Sequence, residues 1–123
     1  MCMNSAMSID SEWMPVCHLD DLVAGAGVAV IINGQPVAIF WLPGQQIECY
    51  ALSHTDPFSG ADVLAHGILC EIEGAWSVAS PLYKQHFRLD NGVCLEDPQV
   101  SVACWPVRLH AGQVEIAGFT SQD

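Results

Sequence analysis

Short apolar runs, each ended by a turn-forming pair, recur along the whole chain. Residues 13–17 read as a first strand, and the carboxylates of His18-Leu-Asp-Asp-Leu22 suit a single helical turn after it. Residues 27–32 and 35–41 are β-rich runs separated by Asn33-Gly34. Asn-Gly favours the type I′ hairpin, because both central residues of that turn need positive φ. A further strand is expected over 46–52, entered through Pro43-Gly44. Three more hairpins are expected: 68–72 to 75–79 through Glu73-Gly74, 87–89 to 93–95 through Asp90-Asn-Gly92, and 102–109 to 113–117 through Ala111-Gly112. The one helix candidate longer than a turn is 61–66. Strands of this length and spacing predict an all-β protein of small antiparallel sheets, either a barrel or a sandwich.

Length allows one compact domain with a core and is too short for two. The ordered core is expected over about residues 11–118, with both ends frayed. Gly 10 and Pro 7 against a 51% hydrophobic content fit a turn-rich folded chain and exclude wholesale disorder.

Charge narrows the partners. Lys84, Arg88 and Arg108 oppose 14 carboxylates, giving a formal net charge of −11. Such a field repels phosphate backbones and anionic bilayers, which argues against nucleic acid and membrane surfaces as partners. The first ten residues hold no Lys or Arg and no sustained apolar run, so no signal peptide is expected. The longest apolar stretches, about 24–32 and 37–42, are too short to span a bilayer. The cytoplasm, with reduced thiols, is the expected setting. Six cysteines occur without a Cys-x-x-Cys pair, so a zinc site of the usual spacing is not supported. No phosphate loop, dinucleotide fingerprint or nucleophile elbow is present, and no catalytic residue is expected in this chain.

Two segments are not simple hairpin tips. They cover 53–62 and 79–87, and each carries an X-Pro step close to a strand end. Proline fixes φ and removes a donor, so both should project as rigid loops. Within them stand Asp56-Pro57-Phe58, preceded by Ala51-Leu52, and Ser80-Pro81-Leu82-Tyr83, followed by Phe87 and Gly92. This layout resembles the Rieske domain, in which a Cys-Pro-His loop and a Cys-Pro-x-His loop pinch a [2Fe–2S] cluster. Both prolines of that framework, its Phe-x-x-x-x-Gly element and the 21-residue separation of Phe58 from Ser80 are kept. All four ligand positions, Asp56, Phe58, Ser80 and Tyr83, are changed. A Rieske centre needs two thiolates on one iron and two imidazoles on the other. Carboxylate, benzene ring, alcohol and phenol do not replace them, so no cluster is expected.

The fuller wording, Asp56-Pro-Phe-Ser-Gly-Ala61 with Ser80-Pro-Leu-Tyr-Lys-Gln-His-Phe87 and Cys94-Leu-Glu-Asp-Pro98, is similar to the small subunit of NAD(P)H-dependent nitrite reductase over roughly residues 13–116. That resemblance implies a Rieske-like fold without its cluster, with a smaller subdomain at about 53–87 carrying the two loops. It also implies a partner: a large subunit holding flavin, siroheme and a [4Fe–4S] cluster and reducing nitrite to ammonium. No cofactor is then expected in this chain, and Phe58, Tyr83, Lys84 and His86 are the candidate interface. Other readings stay open from residues alone. Phe58 and Tyr83 can simply fill the volume of a cluster. Lys84, His86 and Arg88 can form a basic docking spot or merely neutralise Asp90, Glu96 or Asp97. His54, His66, His86 and Cys70 could form a replacement metal site, though at no known ligand spacing. The whole chain could also be an electron-transfer ferredoxin with an unconventional cluster, or a free-standing binding module.

Overall fold

The structure, a computed structural model, describes residues 13–118 apart from Tyr83. It holds ten strands in three antiparallel sheets. Strands β1 (Met14–His18), β10 (Gln113–Ile116) and β9 (Val107–His110) form one sheet in that order. Strands β2 (Ala26–Ile32), β3 (Gln35–Trp41), β4 (Cys49–Ser53) and β8 (Cys104–Trp105) form the second. Strands β5 (Ile68–Ile72), β6 (Ala75–Ala79) and β7 (His86–Arg88) form the third.

Turn chemistry places the hairpins where the sequence predicts them. Asn33 and Gly34 have φ of 51° and 80°, and Glu73 and Gly74 have 51° and 83°. Both pairs occupy the left-handed region that a type I′ turn demands. The run Val37–Leu42 is apolar at every position because β3 is buried on both faces. Val37 and Ile39 enter one core with Ala51, Val114 and Ile116. Ala38 and Phe40 enter a second with Leu52, Leu64, Val78, Phe87 and Cys94. The four-stranded sheet is therefore the wall between two cores. The second core joins it to the sheet β5–β6–β7, from which the loop holding Ser80 emerges.

Five expectations are corrected. Residues 61–66 form no helix; only a 3-10 turn exists at Leu64–His66, because the N–H groups of Val63 and Leu64 both bond His54 O rather than open a helical ladder. The strand expected from 46 starts at Cys49, since the N–H of Leu42 bonds Glu48 O at 2.6 Å and that of Gly44 bonds the Glu48 carboxylate at 3.3 Å, closing residues 43–47 as a turn. The strand expected over 93–95 reduces to isolated bridges, Phe87 to Cys94 and Val93 to Ser101, one on each side, with no continuous ladder. The strand over 102–109 is split in two at Pro106, which has no N–H for the ladder. Cys17, Cys49, Cys70 and Cys94 are free thiols, whereas Cys104 is disulfide-bonded, against the expectation of reduced thiols throughout.

Candidate functional site

The first loop leaves β4 and is held by its own main chain. The N–H of Asp56 bonds Ala61 O at 2.8 Å, and the N–H of Gly60 bonds Asp56 O at 2.7 Å. Thr55 Oγ1 donates to Asp62 Oδ1 at 2.7 Å across the neck. The second loop leaves β6 and closes in the same way, with Ser80 N–H on Gln85 O at 2.9 Å and Lys84 N–H on Ser80 O at 3.1 Å. Lys84 sits at φ 67°, a left-handed conformation at the turn's end, and its side chain is exposed.

The two loops meet through Asp56 and Ser80, the residues expected at cysteine positions of a Rieske centre. Ser80 Oγ donates to Asp56 Oδ2 at 2.6 Å, and both residues are wholly buried. Asp56 Oδ1 accepts from the Phe58 N–H at 2.8 Å, and Ser80 Oγ accepts from the Leu82 N–H at 3.3 Å. A hydroxyl this close to a carboxylate oxygen makes a short hydrogen bond. It links positions 24 residues apart and ties one loop to the other.

This arrangement fits the donor set of an iron–sulfur centre poorly. The two side chains that would share one iron bond each other instead, through oxygen atoms, and each also accepts from a main-chain N–H. Phe58 stands at one imidazole position; its ring lies 6.2 Å from that of Phe87 and is 38% exposed, so it both packs and faces outward. Tyr83, at the other, lies outside the described residues.

His86 and Arg88 have local partners. His86 N–H and Nδ1 reach the Glu96 carboxylate at 2.8 and 2.7 Å. Burial works against the charged form of Glu96, but the main-chain N–H and ring of His86 outweigh it and hold its pKa below the usual carboxylate range. Arg88 grips Asp90 with two bonds of 2.9 and 2.7 Å. Two of the three clustered basic residues are thus matched within the chain, which leaves Lys84 as the outward cation of the loop.

Of the histidines and cysteine considered for a metal, only His54 and His66 come together, their ring centroids 5.6 Å apart. Among the described residues no three metal-capable side chains converge. His54 has a structural part that sequence reasoning missed. It is buried, and its Nδ1 accepts the N–H of Ala65 at 3.0 Å, so the neutral ring carries its proton on Nε2. Burial first, and His66 second, lower its pKa, with Asp62 opposing them. The thiols are not activated: burial, with Glu48 and Cys17 nearby, pushes Cys49 up to about 12, and burial also raises Cys17 and Cys94. No helix among the described residues is long and apolar enough to cross a membrane.

Known proteins sharpen this picture. Residues 12–117 match the Rieske-like [2Fe–2S] domain family. The chain is similar to the nitrite reductase (NADH) small subunit of Salmonella typhimurium, at 43% identity over 108 residues, covering 88% of this chain and 99% of that one. It superposes on the solution structure of the nitrite reductase [NAD(P)H] small subunit of Erwinia carotovora with a TM-score of 0.72 at 43% identity, covering 89% of this chain and 84% of the other. It is also 36% identical, over 102 residues, to a stretch of the nitrite reductase [NAD(P)H] large subunit of Klebsiella oxytoca, covering 83% of this chain and 10% of that one.

Proposed function

The chain belongs to the Rieske-like family of nitrite reductase small subunits, and from that premise we propose that it works as a cluster-free, non-catalytic partner of a nitrite reductase large subunit. The observation that carries the partnership is the Klebsiella large subunit, which contains a stretch related to nearly all of this chain. A module found inside a partner's chain in one organism and free in another must act at short range from that partner. The buried Asp56–Ser80 bond supports the absence of a cluster, since it pairs two hard oxygen donors with each other where two thiolates would be needed. Flavin, siroheme and [4Fe–4S] chemistry then belongs to the large subunit, and nitrite reduction to ammonium in the cytoplasm is the activity this chain serves.

Its contribution is to stabilise or orient the large subunit through the tips of the two loops. Phe58 and Leu82 expose apolar surface there, at 38% and 49%, and Lys84 adds an outward cation. Tyr83 and His86 complete the proposed contact. Affinity purification of the tagged chain from cells grown on nitrite tests the reading. Recovery of a siroheme-containing reductase supports it, and recovery of the chain alone rejects it. Alanine at Phe58 and Lys84 together should weaken that recovery; undiminished recovery would remove the loop tips from the interface.

A further inference from the structure

A three-stranded sheet with one face on a core should turn polar side chains to water on the other. The sheet β5–β6–β7 departs from this on half of its outer positions, where Ile68, Ile72, Ala75 and Ala79 stand. Leu69, Trp76, Val78 and Phe87 belong to or pack against the inner core, which leaves the alternate positions on the outer face. Cross-strand register puts those positions in three rows: Ile72 beside Ala75; Cys70, Ser77 and Arg88; and Ile68, Ala79 and His86. No carboxylate or lysine stands among the eight. The two basic ones are already bonded to Asp90 and Glu96. Ile68 is 69% exposed, Ile72 48%, and Leu95 beyond β7 is 40%.

The middle strand contributes only small side chains, and Ile68 and Ile72 on one side and His86 and Arg88 on the other are large. The face is therefore a trough, and a hollow of about 270 Å³ opens at one end of it, lined in part by Ile72, Ala75, Ser77, Arg88 and Leu95. In its floor the Ser77 hydroxyl is buried, at 2% exposure, and has no hydrogen-bond partner among the described residues. A buried hydroxyl without a partner costs free energy unless something else satisfies it. β5 is also the outer strand of its sheet, so its free edge offers main-chain groups beside the trough.

We propose that this outer face is a docking trough for an extended apolar segment of the large subunit flanked by basic side chains. Charge selects that occupant. Glu73 lines the hollow, and the Glu96 and Asp90 carboxylates border the face where they bond His86 and Arg88, on a chain of net charge −11; a second copy would meet these with its own carboxylates and a basic surface would complement them. The trough also continues the proposed loop interface, because His86 lies at the end of the second loop and in the last row of the face. The assignment rests on the large subunit being the partner.

The unmodified chain and its large subunit provide the test. Cys70, a half-buried free thiol in the middle row, should react with a maleimide in the isolated chain and become about tenfold slower in the complex, read site by site by mass spectrometry. Ile68→Glu and Ile72→Glu, both at exposed positions that leave the melting temperature unchanged, should each weaken binding about tenfold or more. Equal Cys70 labelling with and without the large subunit, or full affinity in both variants, overturns the trough while leaving the partnership standing. A large subunit that fails to bind the unmodified chain overturns both. An isolated chain that sediments as a dimer, and as a monomer after Ile68→Glu, overturns the occupant in favour of self-association.

Discussion

Asp56 and Ser80 illustrate how much one pair of residues can decide. Neither side chain can supply a thiolate, and their mutual bond holds two loops from different parts of the fold together. Ser80→Ala leaves Asp56 Oδ2 buried without its donor and should cost about 1–3 kcal/mol of stability in urea titration. Asp56→Ala strands the Ser80 hydroxyl and the Phe58 N–H and should cost a similar amount. Because both variants break the same bond, the double variant should lose clearly less than the sum. Strict additivity would show that the bond contributes nothing. His54 makes a second residue-scale prediction. Its pKa is lower folded than unfolded, so the unfolded chain takes up the proton first as pH falls. Its stabilising contribution is complete above about pH 6.5 and is lost as pH drops from there through the folded pKa. Unfolding free energy should decline over that range, and His54→Gln should flatten the decline; an unchanged slope would assign the pH dependence to other groups. Asp56 and Ser80 could be singled out from the sequence. That they would bond each other could not, because they lie 24 residues apart and only the packing of the loops brings them into contact.

At the scale of elements, the hairpin turns were the most legible part of the chain. β3, β5 and β6 fall where periodicity and Gly-containing turns place them, because positive φ is a local demand with a local chemical answer. Legibility failed where the partner of a segment was distant. The segment 93–95 has the composition of a strand, yet its neighbours on the two sides let it form only isolated bridges. Gly92 shows the same dependence. Its φ is 77°, and a Cβ built there would come within 2.2 Å of the Val102 carbonyl oxygen. Gly34 has a similar φ of 80° with open space around it. Gly92→Ala should therefore destabilise the protein by roughly 3 kcal/mol, combining backbone strain with a clash against main chain. Gly34→Ala should cost only about 1 kcal/mol, from φ alone. Equal melting temperatures for the two variants would show that the close approach to Val102 is not rigid.

For the molecule as a whole, two measurements bear on the role proposed. Purified protein expressed with ample iron and sulfide should be colourless and should contain no stoichiometric iron; a charge-transfer spectrum with about two irons per chain would reject the cluster-free reading. Association with the large subunit should slow as salt rises from about 0.05 to 0.5 M, since an acidic chain meeting a basic surface gains mainly in encounter rate. An association rate indifferent to salt would remove charge from the recognition. Sequence by itself determined the all-β class, most hairpins and the acidic surface. Each of those depends on residue type and short-range spacing. Only the tertiary structure decided that Asp56 and Ser80 join, that His54 is buried neutral, and that the solvent side of β5–β6–β7 is half apolar. Those follow from which face of each strand the two cores claim, and that choice is made between segments far apart in the chain.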